Sequence, residues 1–243
     1  ERMRPRIPDR PNDTLSVQAE MGVAAARQAL DAAGIRADQL DLIIVACSNL
    51  QRPYPAVAVE LQAALGAGGY AFDMNVACSS ATFAIDMATN AIRAGSLERV
   101  LVVNPEICSA HLNFRDRDSH FIFGDACTAI LLEADHLAQD REHFTVLGTR
   151  LVTRFSNAIR NNFGFLNRLA DEPEQTLDKL FVQEGRKVFK EVCPMVASLI
   201  LDHLESQALT GDSVKKLWLH QANRHMNDLI AQRVLGREAS PAE

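Results

Sequence analysis

A chain of 243 residues, 47% hydrophobic and 23% charged, carries enough apolar side chain for a substantial core, which excludes a disordered polypeptide. A net charge of −6 without any Lys/Arg-rich run leaves no basic surface for nucleic acid and no tail for acidic lipid. No signal-peptide pattern occurs and no apolar run approaches the roughly 20 residues that span a bilayer, so a cytoplasmic protein with no membrane and no nucleic-acid partner is expected.

In chain order, Thr14 to Ala33 has the apolar spacing of an amphipathic helix, with Asn12, Asp13 and Thr14 as available caps and Gly34 as the stop. Leu42-Ile43-Ile44-Val45-Ala46 is a continuous apolar run that predicts a strand covered on both faces. Pro55 to Leu65 reads as a second helix ended by Gly66, Gly68 and Gly69, and Ala71 to Val76 as the next strand. Ser80 to Ala94 is a long helix stopped by Gly95, Arg99 to Asn104 a strand, and Phe121 to Glu133, broken at Gly124-Asp125, one or two more. Alternating helices and strands predict a layered α/β fold.

The pattern weakens from Phe155 to Thr176, where Asn157, Asn161, Asn162, Asn167 and Pro173 interrupt it, and a long excursion or lid is expected there. Helical periodicity returns from Leu180 to Leu204. Lys215-Lys216-Leu217-Trp218-Leu219 then predicts a short strand, followed by His220-Gln221-Ala222-Asn223 and a helix through Val234. Three regions follow: an N-terminal half over 1–135, an excursion over 136–180, and the start of a second half over 181–243. Both ends of the sequence read as cut, since no strand precedes the first helix and the second half holds a single strand.

The five cysteines are odd in number and widely spaced, which fits neither a disulfide framework nor a C-x-x-C metal pattern. The seven histidines show no H-E-x-x-H spacing, so no metal is expected. Cys78 differs from the other cysteines in its setting. It falls between the strand ending near Val76 and the helix beginning at Ser80, among the small residues Ala77, Ser79, Ser80 and Ala81. A helix N-terminus stabilises a thiolate and lowers the cysteine pKa, which suits a nucleophile. Cysteine is equally a common buried residue, and packing is the competing reading. His220 repeats the logic, as a reactive side chain at a strand end before a helix, and two such elbows suggest two related halves sharing a site.

Four stretches in fixed order carry a resemblance to a known family. They are Asp31-Ala32-Ala33-Gly34-Ile35 leading to Asp41-Leu42-Ile43-Ile44-Val45; Phe72-Asp73 through Ala77-Cys78-Ser79-Ser80; Asp116-Arg117 through Phe123-Gly124-Asp125-Ala126; and His220-Gln221-Ala222-Asn223. Together they resemble the thiolase-like condensing enzymes, specifically β-ketoacyl-acyl carrier protein synthase III, over about Arg4 to Leu235. The resemblance implies a thiolase-like α/β fold of two related halves, with central mixed sheets covered by helices in α-β-α-β-α layers. It implies a homodimer with no permanently bound cofactor, using acyl-CoA and malonyl-acyl carrier protein as substrates in fatty acid or related biosynthesis.

By the same resemblance Cys78 attacks an acyl thioester and becomes acylated, and His220 hydrogen-bonds the thioester oxygen of malonyl-acyl carrier protein as it decarboxylates. The family's third catalytic residue is an Asn in an H-G-N-T-S motif, which does not occur in these residues and is expected beyond Glu243. Arg117 matches an arginine that contacts the nucleotide end of CoA. Arg186 and Asn223 join it in substrate binding, Gln221, Ala222, Asn223, Arg224 and His225 dock the carrier protein, and Tyr54 reaches across the dimer toward the partner's acyl pocket. The sequence departs from the family at His225, where a basic residue is usual, at Arg186, where Gly-Asn is usual, and at Asp118 in place of the Gly of D-R-G. These departures imply a divergent primer, longer than acetyl. Two alternatives stand beside condensation: a non-decarboxylating acyltransferase that passes the acyl group to an alcohol, amine or another thioester, and a non-catalytic partner subunit. A degradative thiolase is disfavoured by the H-Q-A-N context.

Overall fold

The computed structural model describes residues 7, 9–138, 141–169 and 179–240. It divides into two compact units, one from Arg4–Ala110 and Gly124–Val146, the other from His111–Phe123 and Leu147–Glu243.

The first unit is a sheet with helices on both faces. Its elements are α1 (Val17–Ala33), β1 (Leu42–Ala46), α2 (Val57–Leu65), β2 (Tyr70–Met74), α3 (Ser80–Arg93), β3 (Arg99–Ile107) and β4 (Asp125–Glu133). The strands lie in the order β2-β1-β3-β4, parallel across the first three and antiparallel between β3 and β4. Side chains alternate across the pleat of β1 and β3, which explains the unbroken apolar runs. Ile43, Val45, Leu101 and Val103 pack with Ala19, Val23, Ala26 and Leu30 of α1 and Val57, Ala58 and Leu61 of α2. Leu42, Ile44, Ala46, Val100 and Val102 face the other way, onto Ala84 and Ala88 of α3.

The starts of the parallel strands are tied together by Asp41. Its carboxylate accepts from the Glu98 N–H at 2.7 Å and the Arg99 N–H at 2.8 Å, and its carbonyl accepts from the Tyr70 N–H at 3.1 Å. Gly69, at φ 64°, passes so close that an added Cβ would fall 1.8 Å from the Asp41 carbonyl oxygen. A side chain is excluded there by both conformation and space.

Helix α1 begins three residues later than the spacing predicts. Ser16 is the cap, its hydroxyl accepting from the Ala19 N–H at 3.1 Å, and the chain leaves α1 through a left-handed Gly34 as expected. Thr14 spends its hydroxyl on the Pro11 carbonyl at 2.7 Å and so is not a cap. The region 121–133 forms one strand from Asp125, and Phe121 to Phe123 belong to the other unit.

In the second unit, α4 (Gly185–Ser206) packs against α5 (Arg224–Leu235) through Phe189, Cys193, Val196, Ile200, Met226, Ile230 and Val234. A two-residue ladder pairs β5 (Ile159–Arg160) with β6 (Val182–Gln183). The rings of His111, Phe123 and Phe181 cluster, with Phe123 edge-on to Phe181 at 4.8 Å. Within the expected excursion the described residues hold β5 and a short turn of helix at Phe165–Leu169, and 139–140 and 170–178 lie outside the described residues. Lys215 to Leu219 is not a strand, contrary to the sequence reading. An apolar alternation becomes a strand only beside a ladder partner. In this unit the described ladder is β5–β6; Leu219 packs instead on the α4–α5 core while Trp218 is 79% exposed. His220 therefore precedes a helix without following a strand. Among the described residues no helix is long and apolar enough to cross a membrane.

Candidate active site

The carboxyl ends of β1, β2 and β3 converge on Cys78, the part of an open parallel sheet where loops are free to present chemistry. Between β2 and α3 the chain turns through Ala77, which holds a left-handed φ of 47° that a residue with a Cβ adopts at a cost of about 1–3 kcal/mol. Hydrogen bonds on both sides enforce that turn. The Asn75 carboxamide oxygen accepts from the Ala77 N–H at 2.8 Å, and the buried Ser80 hydroxyl donates to the Ala77 carbonyl at 2.7 Å while accepting from the Val76 N–H at 2.8 Å. Cys78 follows at the outside of the bend and is exposed. A sharp turn of this kind projects a side chain away from the sheet, as a nucleophile requires.

The thiol lies above its ordinary value, against the expectation from the helix N-terminus. Protein around the sulfur withholds water from the thiolate, the Glu106 carboxylate adds repulsion, and the backbone N–H of Cys78 itself only partly offsets them. Helix α3 begins at Ser80, so Cys78 lies outside its first turn, where the dipole's influence fades.

Sequence reasoning missed the groups behind Cys78. Glu106, near the end of β3, accepts from the Ser48 N–H at 2.7 Å through one oxygen and from the Ser48 hydroxyl at 2.6 Å through the other. The Ser48 carbonyl accepts from the Asn75 carboxamide at 2.8 Å. The Cys108 thiol donates toward Glu106 at 3.6 Å and is pushed up to about 12, by burial first and by Glu106 second. Cys47, buried at the end of β1, is pushed up to about 12 for the same two reasons in the same order. The signal was positional: these residues lie at or just past the carboxyl ends of β1, β2 and β3, three strands that run parallel to one another.

The remaining predicted residues lie as follows. Tyr54 is 81% exposed before α2, in the same unit as Cys78. Arg117, His220 and Arg186 belong to the second unit, and each of the three is exposed. Arg117 sits in a turn built by Asp116, whose carboxylate accepts from the Ser119 hydroxyl at 2.5 Å and the Asp118 N–H at 3.0 Å; these bonds hold its pKa below the ordinary carboxylate value. Arg186 is in the first turn of α4. In the His220 segment the Ala222 N–H donates to the His220 carbonyl at 3.0 Å. Asn223 caps α5, its oxygen accepting from the Met226 N–H at 3.1 Å. Gln221, Arg224 and His225 are exposed around this cap, Ala222 is half-buried, and Arg224 lies 3.8 Å from Asp228 one turn on. Cys78 and His220 thus belong to different units, each defined by its own surroundings. Among the described residues no group of three or more His, Cys, Asp or Glu side chains could hold a metal ion.

Comparison with known proteins gives this geometry a context. The family model for 3-oxoacyl-[acyl-carrier-protein] synthase III matches residues 72–154, a span that contains Cys78, Glu106 and Arg117. Over its whole length the chain is 60% identical to a beta-ketodecanoyl-[acyl-carrier-protein] synthase of Pseudomonas aeruginosa, of which it covers 69%. It is 35% identical over 215 residues to a beta-ketoacyl-[acyl-carrier-protein] synthase III of Acidiphilium cryptum, covering 88% of this chain and 65% of that protein. The chain therefore spans about two thirds of the length of these relatives. Among solved structures, 3-oxoacyl-[acyl-carrier-protein] synthase III from Aquifex aeolicus superposes with a TM-score of 0.78 at 26% identity, covering 93% of this chain and 67% of that one.

Proposed function

Because the chain belongs to the 3-oxoacyl-[acyl-carrier-protein] synthase III family of thiolase-like condensing acyltransferases, we propose that it primes chain extension through Cys78. The Cys78 thiolate attacks the carbonyl of an acyl-CoA, a new thioester forms at the sulfur, and CoA leaves as its thiol. Malonyl-acyl carrier protein then loses carbon dioxide. The electron pair of the broken bond forms an enolate that attacks the acyl-Cys78 carbonyl, and the Cys78 thiolate departs, leaving a β-ketoacyl-acyl carrier protein. His220 stabilises the enolate oxygen by donating a hydrogen bond. The observation that carries this reading is the strained turn at Ala77, fixed by Asn75 and Ser80, which presents an exposed cysteine at the carboxyl end of a parallel sheet.

Similarity to the beta-ketodecanoyl-[acyl-carrier-protein] synthase of Pseudomonas aeruginosa supports a medium-chain primer, two carbons shorter than decanoyl. Arg117 and Arg186 are exposed cations suited to the phosphates of CoA. Asn223 takes part in substrate binding, and with its carboxamide oxygen spent on α5 it meets substrate through the amide nitrogen. The exposed Gln221, Arg224 and His225, with Ala222 between them, give the acidic carrier protein a docking edge. The exposure of Tyr54 supports its reaching the acyl pocket of a partner in a homodimer.

Intact-mass measurement after incubation with acyl-CoAs of increasing length tests the first half-reaction. The wild type gains one acyl group, most readily from medium-chain donors, and Cys78→Ala gains none. An adduct retained by Cys78→Ala sinks the assignment of the nucleophile. His220→Ala still acylates but decarboxylates malonyl-acyl carrier protein roughly 10²-fold more slowly. An unchanged decarboxylation rate removes His220 from the mechanism.

A further inference from the structure

We propose that Glu106 is a positioning residue for Cys78, fixing the nucleophile's turn through Ser48 and Asn75 and placing a carboxylate beside the thiols at these strand ends. This inference rests on the reading of Cys78 as the acylated residue.

The bonds form a continuous path. Both Glu106 carboxylate oxygens are held by Ser48, at 2.7 and 2.6 Å; the Ser48 carbonyl holds Asn75 at 2.8 Å; Asn75 holds the Ala77 N–H at 2.8 Å, one residue before Cys78. The path crosses the loops after β1 and β2 from the end of β3, so it joins three strands to the only non-glycine residue of the first unit with a left-handed φ among the described residues. Glu106 is half-buried, and its hydrogen bonds come from Ser48 and the Cys108 thiol. Among the described residues it has no ion-pair partner. An uncompensated carboxylate beside thiols disfavours their ionisation.

The titratable groups facing Cys78 are Glu106 and Cys108, both from the end of β3; Cys47 after β1 and Asp73 on β2 belong to the same cluster, and the first turn of α3 contributes no acid. Glu106 is thus the charge that acts on Cys78. It adds to burial in raising the thiol above its ordinary value, and the turn it secures keeps the sulfur aimed while an acyl donor arrives. Glutamine is the informative replacement, because its amide can still accept from the Ser48 N–H and donate to the Ser48 hydroxyl while carrying no charge.

The test is the pH profile of iodoacetamide alkylation at Cys78, followed on the Cys78 peptide by mass spectrometry. In Glu106→Gln the midpoint falls by about one pH unit, and alkylation at neutral pH rises about tenfold. Glu106→Asp, which restores the charge, returns the midpoint toward wild type. Should Glu106→Gln not fold, the salt dependence of the wild-type profile carries the test: added salt screens the Glu106 charge and lowers the midpoint, and a salt-independent midpoint overturns the inference. A folded variant with the wild-type profile overturns the inference. If the wild type takes up no acyl group on Cys78, the proposed function and this inference fall together. If it does and the profile is unmoved, this inference alone falls.

Discussion

Gln18 shows how one buried polar side chain supports the site from outside it. It is 1% exposed on α1, and its carboxamide donates to the Asn49 carbonyl at 2.6 Å and the Pro105 carbonyl at 3.0 Å while accepting from the Gln51 N–H at 2.6 Å. It thereby fastens the loop after β1 to β3, immediately beside Ser48 and Glu106. Gln18→Leu strands these groups without partners, and a loss of about 2–4 kcal/mol in urea denaturation is expected. A loss below about 1 kcal/mol means that water replaces the carboxamide. The sequence offered no hint of this, because a glutamine inside an amphipathic helix reads as solvent-facing. Cys78 was legible as a candidate, but its proton affinity was not. The local reading saw a helix N-terminus, whereas the thiol is raised first by burial and second by Glu106, 28 residues further on.

At the scale of elements, the apolar runs of β1 and β3 made the sheet legible, since a strand covered on both faces must be hydrophobic at every position. Helix starts were less so: α1 is capped by Ser16 and not by the expected Asn12, Asp13 or Thr14, and α2 takes its cap from another element. Helix α2 is the clearer case. No side chain at its own N-terminus caps it, and the Asp73 carboxylate on β2 accepts from the Val57 N–H at 2.8 Å and the Ala58 N–H at 2.7 Å. Burial raises the Asp73 pKa and these two bonds oppose the rise. Asp73→Ala removes the cap and should cost about 1–2 kcal/mol in thermal unfolding, with Asp73→Asn milder because it keeps an acceptor and loses the buried charge. Equal losses in the two variants contradict a capping role. Gly69→Ala is the severe case. A methyl group at left-handed φ and against the Asp41 carbonyl should cost at least about 3 kcal/mol, read as a drop in melting temperature.

For the whole molecule, alkaline stability follows from the thiol cluster. Cys47 and Cys108 are raised from about 9 to about 12 by burial first and Glu106 second. Between those values the unfolded chain sheds thiol protons that the folded chain keeps, so the thiols' contribution is complete below about pH 9 and is lost as pH rises toward 12. The urea midpoint should fall from pH 8 to pH 10, and Cys47→Ala should flatten the fall; an equal slope in that variant excludes the thiol as its source. Long-range organisation was only partly readable. Phe121 to Phe123 fall in a different unit from the strand that begins two residues later, and no local pattern marks that change of partner.

The turn at Ala77 exists only while β1, β2 and β3 are paired, because Ser48, Asn75 and Glu106 come from three separate strand ends. Native structure therefore acts on Cys78 as a restraint on indiscriminate reactivity. Unfolding returns its thiol to ordinary acidity, so a damaged molecule is more readily modified at neutral pH than an intact one. Damage thus marks itself chemically, at the residue on which the proposed activity depends.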